Sequence, residues 1–345
     1  MVASSKRIPK GRALLVGVCV CLFACLGAAP RSVSAAVPRA GNSAPAAAAS
    51  PSRAAHPDWL AVNDFLYQLQ NMNLKKMGES RFDLVVMDYS ANGHESTRFT
   101  RGQIRALRHS PGGHKLVLAY MSIGEAETYR WYWKKSWDAN LDGVPDAGAP
   151  KWLGRANPQW LDNYKVRYWY SSWQRNILGT PHSYLDKIIA DGYDGVYLDI
   201  IDAYEYWGPG GGSGLDRRSA AQDMVRFVRR IAHYARVVKH RPDFGVFPQN
   251  GADLGKYPEY MAVVNGIGAE DTWYNGDAVS PWGAETVPAL KRFRAAGKLV
   301  LCTDYCRRRA HIDRFYHKAQ ALGFVPYATV RDLDKLVINP GHAPD

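Results

Sequence analysis

GVYLDIID, residues 195–202, opens on a glycine, runs through Val196, Tyr197 and Leu198, and breaks off at Asp199. A short run of β-branched, aromatic and aliphatic residues reads as a strand buried on both faces, the kind found in parallel sheets. A carboxylate at the exit of such a strand costs free energy unless it is paired or functional. The theme recurs along the chain in DFLYQLQ (64–70), FDLVVMDYS (82–90), KLVLAYMSIGE (115–125), YKVRYWY (164–170), FGVFPQNG (244–251), GIGAEDTWY (266–274), KLVLCTDYC (298–306) and FVPYATV (324–330). Helical patterns lie between several of them: TRGQIRALRHS, SYLDKIIADG, AAQDMVRFVRRIAHYARVVKH and VPALKRFRAAG. Alternating strands and helices predict parallel βα units. With so many units and no glycine-rich phosphate loop, the reading is an α/β fold: a single-domain (β/α)8 TIM-type barrel over residues 57–345. An open flavodoxin-like sheet is the alternative. The runs exceed eight strands by one, so YKVRYWY or FVPYATV falls outside the barrel.

The 345 residues suffice for one large core. A hydrophobic fraction of 46% excludes general disorder, and 11 Trp with 20 Tyr exceed the needs of a core, which suggests a groove lined by flat faces. The net charge of +12 is concentrated at the start: residues 1–57 hold seven Lys and Arg and no acid, leaving 37 bases against 32 acids. No recognised nucleic-acid motif or basic cluster with interleaved aromatics appears, so nucleic acid is not a predicted partner.

Residues 1–36 have the layout of a secretory signal: basic through Arg12, then apolar ALLVGVCVCLFACLGAA, then small residues near Ser34. The alternatives are an uncleaved anchor, or lipidation at Cys25, although Phe23 fits a lipoprotein box poorly. Residues 37–56, rich in Ala and Pro, read as a linker. The protein is therefore expected outside the cytoplasm, touching a membrane only through that N-terminus. Of five cysteines, only Cys302 and Cys306 fall in the body; CTDYC leaves a tight disulfide and two free thiols equally open.

In a barrel the chemistry lies at the C-terminal ends of the strands. The runs deliver Gln68 and Gln70, Asp88, Tyr120 with Glu125, Asp199 with Asp202, Gln249 with Asn250, Glu270 with Asp271, and Asp304. Any one of these acids can be a helix cap or a strand-end ion pair, above all Asp88, Asp202 and Asp304. Asp199, beside Tyr197 and Trp207, and Glu270, beside Trp273 and Tyr274, stand out. Two carboxylates among aromatics suit glycoside cleavage: one protonates the leaving oxygen, the other attacks or stabilises the anomeric carbon, and aromatic faces stack on sugars. Asp88, Tyr120, Glu125, Tyr197, Asp202, Trp207, Gln249, Asn250, Asp271, Trp273, Tyr274 and Asp304 are candidate sugar contacts, with Tyr204–Trp207 as a cleft wall, and GPGGGSG after Trp207 is a candidate lid or a plain flexible loop.

MDYS near Asp88, LAYMSIGEAE (118–127), WLGRANPQW (152–160), GVYLDIID, FPQNG (247–251) and GAEDTWY (268–274), in this order, resemble the extracellular glycoside hydrolases grouped with endo-α-1,4-polygalactosaminidases, family 114. The resemblance implies a (β/α)8 barrel and endo-cleavage of α-1,4-linked galactosamine polymers; the alternatives are a non-catalytic carbohydrate-binding barrel and a hydrolase of another α-glycan. The resemblance carries the catalytic carboxylates onto Asp199 of YLD and Glu270 of AED, and implies a retaining route. No catalytic cofactor is expected. DANLDGVPD (138–146) sets Asp138, Asn140, Asp142 and Asp146 at calcium-loop positions with Gly143 at the turn, but Ala149 stands where a bidentate Glu belongs. Structural calcium and a metal-free run of Asx turns both fit.

Overall fold

The protein is described by a computed structural model over residues 57–345. The signal segment and the linker of the sequence reading, residues 1–56, lie outside the described residues. Strands β1 (Phe65–Gln68), β2 (Leu84–Asp88), β3 (Leu116–Ser122), β4 (Gly195–Asp199) and β5 (Gly245–Pro248) pair in parallel in that order. Strands β6 (Gly266–Glu270), β7 (Leu299–Asp304) and β8 (Val325–Ala328) form a second parallel sheet. A parallel bridge from Gln249 to Gly268 links the two sheets, and the Asn250 N–H donates to the Gly268 carbonyl at 2.8 Å. At the other side Tyr327 of β8 packs on Phe65 of β1, ring centres 5.6 Å apart.

FVPYATV is thus β8, and YKVRYWY is the supernumerary run. Its first residues end an antiparallel strand, Trp160–Val166, that pairs with Glu125–Glu127 and Leu153–Asn157.

Local chemistry sets the helices between the strands. Helix Arg101–Arg108 starts at a reciprocal capping box of Thr100 and Gln103, which satisfies two otherwise orphaned N–H groups. Helix Tyr184–Asp191 stops at Gly192, whose φ of 88° suits a residue without a Cβ. No described helix is long and apolar enough to cross a membrane.

Strand alternation carried through the register places Tyr67, Asp88, Tyr120, Tyr197, Asp199, Gln249, Gly268, Glu270 and Thr303 on one face of the sheets. Glycines on that face make room for rings. A Cβ on Gly268 would stand 1.7 Å from the Tyr197 hydroxyl, and one on Gly266 would stand 2.4 Å from the Phe247 ring. Cys302 and Cys306 are both free and buried, so the disulfide alternative does not hold.

GPGGGSG is tied to its surroundings by hydrogen bonds. The Ser213 N–H donates to Tyr206 O at 3.0 Å and the Gly210 N–H to Asp216 Oδ1 at 2.9 Å, folding residues 208–214 back onto the preceding helix, Ala203–Trp207.

Candidate active site

Asp199 ends β4 and Glu270 ends β6, so both leave the sheets at the same strand ends. Each is partly exposed, in contrast to the fully buried residues that precede it. Asp199 Oδ2 accepts from the Tyr120 hydroxyl at 2.6 Å, and Oδ1 from the Ile200 N–H at 2.7 Å. Glu270 Oε1 accepts from the Tyr305 hydroxyl, and its own N–H donates to Asn250 Oδ1 at 3.0 Å. Behind them the Tyr67 hydroxyl donates to Gln249 Oε1 at 3.0 Å, and the Tyr67 and Tyr197 rings pack 5.2 Å apart.

Burial first, then the negative charge of Glu270, pushes the Asp199 carboxyl well above the usual carboxylate range, against the donors Tyr120 and Ile200. Burial likewise raises Glu270; Tyr305 and Gln249 pull it down, while the charge of Asp271 adds to the rise. For two such carboxyls burial disfavours ionising both together, which leaves a state with one protonated and one ionised. That state supplies an acid and a carboxylate at once.

The backbone turns sharply just past Asp199, Gln249 and Glu270. Ile200, Asn250 and Asp271 have φ values of 56°, 61° and 49°. A β-branched residue in the left-handed region is an outlier, with a cost on the order of 1–3 kcal/mol, and such strain collects at functional sites. Close packing holds the turn in place: a Cβ on Gly124 would stand 2.1 Å from Ile200 O.

Residues 43–343 match, as one stretch, the glycoside-hydrolase family GH114. The chain belongs to family GH114. As a glycosidase it acts on a carbohydrate. It is 36% identical over 284 residues to an uncharacterized protein of Methanocaldococcus jannaschii, covering 78% of this chain and 77% of that one. An uncharacterized Thermotoga maritima protein is 35% identical over 288 residues, covering 80% and 83%. The fold is similar to the glycoside hydrolase domain of PelA from Pseudomonas aeruginosa, with TM-score 0.58, 17% identity, and coverage of 81% of this chain and 99% of that one. It is also similar to Aspergillus fumigatus Ega3, solved in complex with galactosamine, with TM-score 0.59, 16% identity, and coverage of 82% and 97%.

Within this GH114 chain several strand-end acids predicted as sugar contacts have structural partners instead. Asp88 is buried, and Arg130 holds both its oxygens at 3.0 and 2.6 Å while also pairing with Glu127 at 2.7 Å. Asp304 is fully buried and accepts the N–H groups of Thr272, Trp273 and Tyr274 at 2.7–3.0 Å, which fixes the loop leaving β6. Glu125 is buried against Lys165 at 2.6 Å and Asn157 at 3.0 Å. Asp271 pairs with Arg331 at 2.7 Å. Each sits where a strand end needs a charge neutralised or a turn capped.

The aromatics divide in the same way. Trp207 is buried against Trp169, ring centres 5.6 Å apart, and is no cleft wall; Tyr274 stacks on His311 at 4.6 Å. Trp273 is half-buried against Phe315. Asp202 is half-buried at the start of helix Ala203–Trp207, where burial raises its carboxyl and the charge of Lys165 opposes that rise. Tyr120, Tyr197, Gln249 and Asn250 do converge on the two acids.

Tyr305, Tyr67, Arg130 and Arg331 were missed by sequence reasoning. The first two stand in the quoted runs CTDYC and DFLYQLQ, one residue after or before a strand-end polar group, which is the signal that would have found them. In DANLDGVPD, Asp138 accepts from the Gly143 N–H at 2.9 Å and from the Tyr164 hydroxyl, and Asp146 accepts from the Ala139 N–H at 2.6 Å. Among the described residues no three or more His, Cys, Asp or Glu converge as a metal site.

Proposed function

We propose that the protein is a secreted glycosidase that cleaves α-1,4-linked galactosamine-rich polysaccharide with retention of configuration. In this reading the two sheets close into a (β/α)8 barrel, with Asp199 and Glu270 above its mouth. One observation carries the proposal: two partly exposed carboxyls at the same ends of β4 and β6, one strand apart, each held by its own tyrosine hydroxyl, with the charge of Glu270 acting on Asp199. Galactosamine in the Ega3 complex supports the choice of sugar, and the signal layout of residues 1–36 supports export.

Asp199, as carboxylate, attacks the anomeric carbon. The bond to the leaving oxygen breaks as Glu270 gives that oxygen its proton. The resulting glycosyl ester is hydrolysed when Glu270 takes a proton from water, which attacks the same carbon and frees Asp199. Retention needs the carboxyls about 5–5.5 Å apart, and the action of the Glu270 charge on Asp199 supports placing the two in one site. Tyr120 keeps Asp199 oriented and stabilises its charge as the ester departs.

Defined α-1,4-galactosamine oligomers, followed by NMR of the first-formed product, test the proposal. Product keeping the α configuration, and a 10²- to 10⁴-fold loss of turnover in Asp199→Asn and Glu270→Gln, are expected. Cleavage of N-acetylgalactosamine or glucan oligomers alone would overturn the substrate, an inverted product the mechanism, and unaltered turnover in both variants the site.

A further inference from the structure

The longest described helical segment carries a charge pattern that the active site does not use. Helix Ala220–His233 continues through a π-helical turn, Tyr234–Val238. Its buried face, including Met224, Phe227, Val228 and Ile231, packs on the core. Its outer face presents Arg226, Arg229, Arg230 and His233, all exposed, then half-buried Arg236 and exposed Val237. These recur every three or four residues, so the cations stand about one turn, roughly 5.4 Å, apart along one stripe.

The stripe forms one wall of an open groove of about 530 Å³, lined by Arg226, Arg229, Arg230, His233, Arg236 and Val263 among others, with no acidic residue in its lining. Little compensates these charges. Arg226 shares Asp223 with Arg217. Arg230 donates to Gln174 Oε1 at 2.6 Å, and Arg236 to Phe244 O and Asn265 Oδ1, all neutral acceptors. Arg229 has no partner among the described residues. Lys298 adds a further cation beside Arg236. A crowd of like charges is unfavourable by itself and is relieved by an anionic partner.

We propose that this groove docks an acidic, carboxylate-bearing polysaccharide strand, at a surface separate from the catalytic cleft. Arg236 bonds residues just before β5 and β6, so this end of the groove lies at the strand starts, whereas Asp199 and Glu270 lie at the strand ends. Guanidinium forks suit carboxylates. A ladder one turn apart meets a polymer that repeats its charge along its length, and Val237 and Val263 offer apolar contact to sugar rings. No aromatic lines the groove, which disfavours single-stranded nucleic acid, since that needs stacking platforms.

Binding of the purified protein to polygalacturonate, neutral dextran, duplex DNA and phosphatidylglycerol vesicles tests the inference. Polygalacturonate is expected to bind most tightly, to weaken steeply with added salt, and to bind about tenfold more weakly to an Arg229→Gln/Arg230→Gln variant. Cleavage of galactosamine oligomers by that variant should be unchanged. Absence of binding at low salt, or equal binding by the variant, would overturn the inference. Tighter binding to vesicles or to DNA would overturn it in favour of a membrane or a nucleic acid. None of these outcomes depends on which sugar the cleft hydrolyses.

Discussion

Tyr305→Phe removes one hydroxyl and leaves the ring, which packs under the Arg331 guanidinium at 4.2 Å. The lost contact is a donor to Glu270 that opposes the effect of burial on that carboxyl. A hydrogen bond to a charged group contributes about 1.5–3 kcal/mol, and about 1.4 kcal/mol corresponds to one pKa unit. Glu270 should therefore rise by about one to two units in the variant. In the proposed mechanism Glu270 works protonated in the first step, so the alkaline limb of the kcat/KM profile should move up by that amount, while the acid limb moves little. Stability should follow the same proton. A carboxyl raised in the folded state favours folding at low pH and loses that advantage as pH climbs through its folded value. The difference in Tm between variant and parent should thus be small near pH 4 and grow toward neutrality. The assay is a pH–rate profile on a defined oligomer beside thermal melts across the same pH range. An alkaline limb that stays in place in a folded variant would refute the claim that Tyr305 sets the proton affinity of Glu270.

Asp199→Asn removes a carboxyl whose ionisation is disfavoured by its surroundings and by the charge of Glu270, so melting near neutral pH should rise by a few degrees as activity falls; a drop in Tm would contradict the coupled-pair reading. Arg130→Met strands Asp88 and Glu127 without their shared cation, which should destabilise by about 3–5 kcal/mol, read by denaturant titration. Gly268→Ala drives a methyl into the Tyr197 ring, and overpacking of this kind costs about 1–3 kcal/mol; turnover should fall as well, because Glu270 lies two residues on. Since the loop 138–146 is closed by its own hydrogen bonds, Tm in calcium and in chelator should coincide while Asp138→Ala lowers both; a chelator-sensitive Tm would instead identify a structural calcium ion.

The period of the chain is legible in the amino-acid sequence alone. Short apolar runs such as GVYLDIID have only one stable use, a strand covered on both faces, and the helices between them force parallel pairing. Asp199 and Glu270 are legible for the same reason: a carboxylate ending a buried strand is hard to explain by packing. What sequence could not sort was which strand-end acids are free. Asp88, Glu125, Asp271 and Asp304 look alike in sequence to the proposed catalytic pair, yet Arg130, Lys165, Arg331 and three backbone N–H groups occupy them. Those partners lie tens of positions away along the chain and are brought alongside only by folding. Trp207 shows the same limit, since an aromatic beside an acid is cleft or core according to what folds over it. The polar pattern tells where charge leaves the core, and the tertiary structure decides which charges meet an opposite one, because pairing depends on distances that only packing sets.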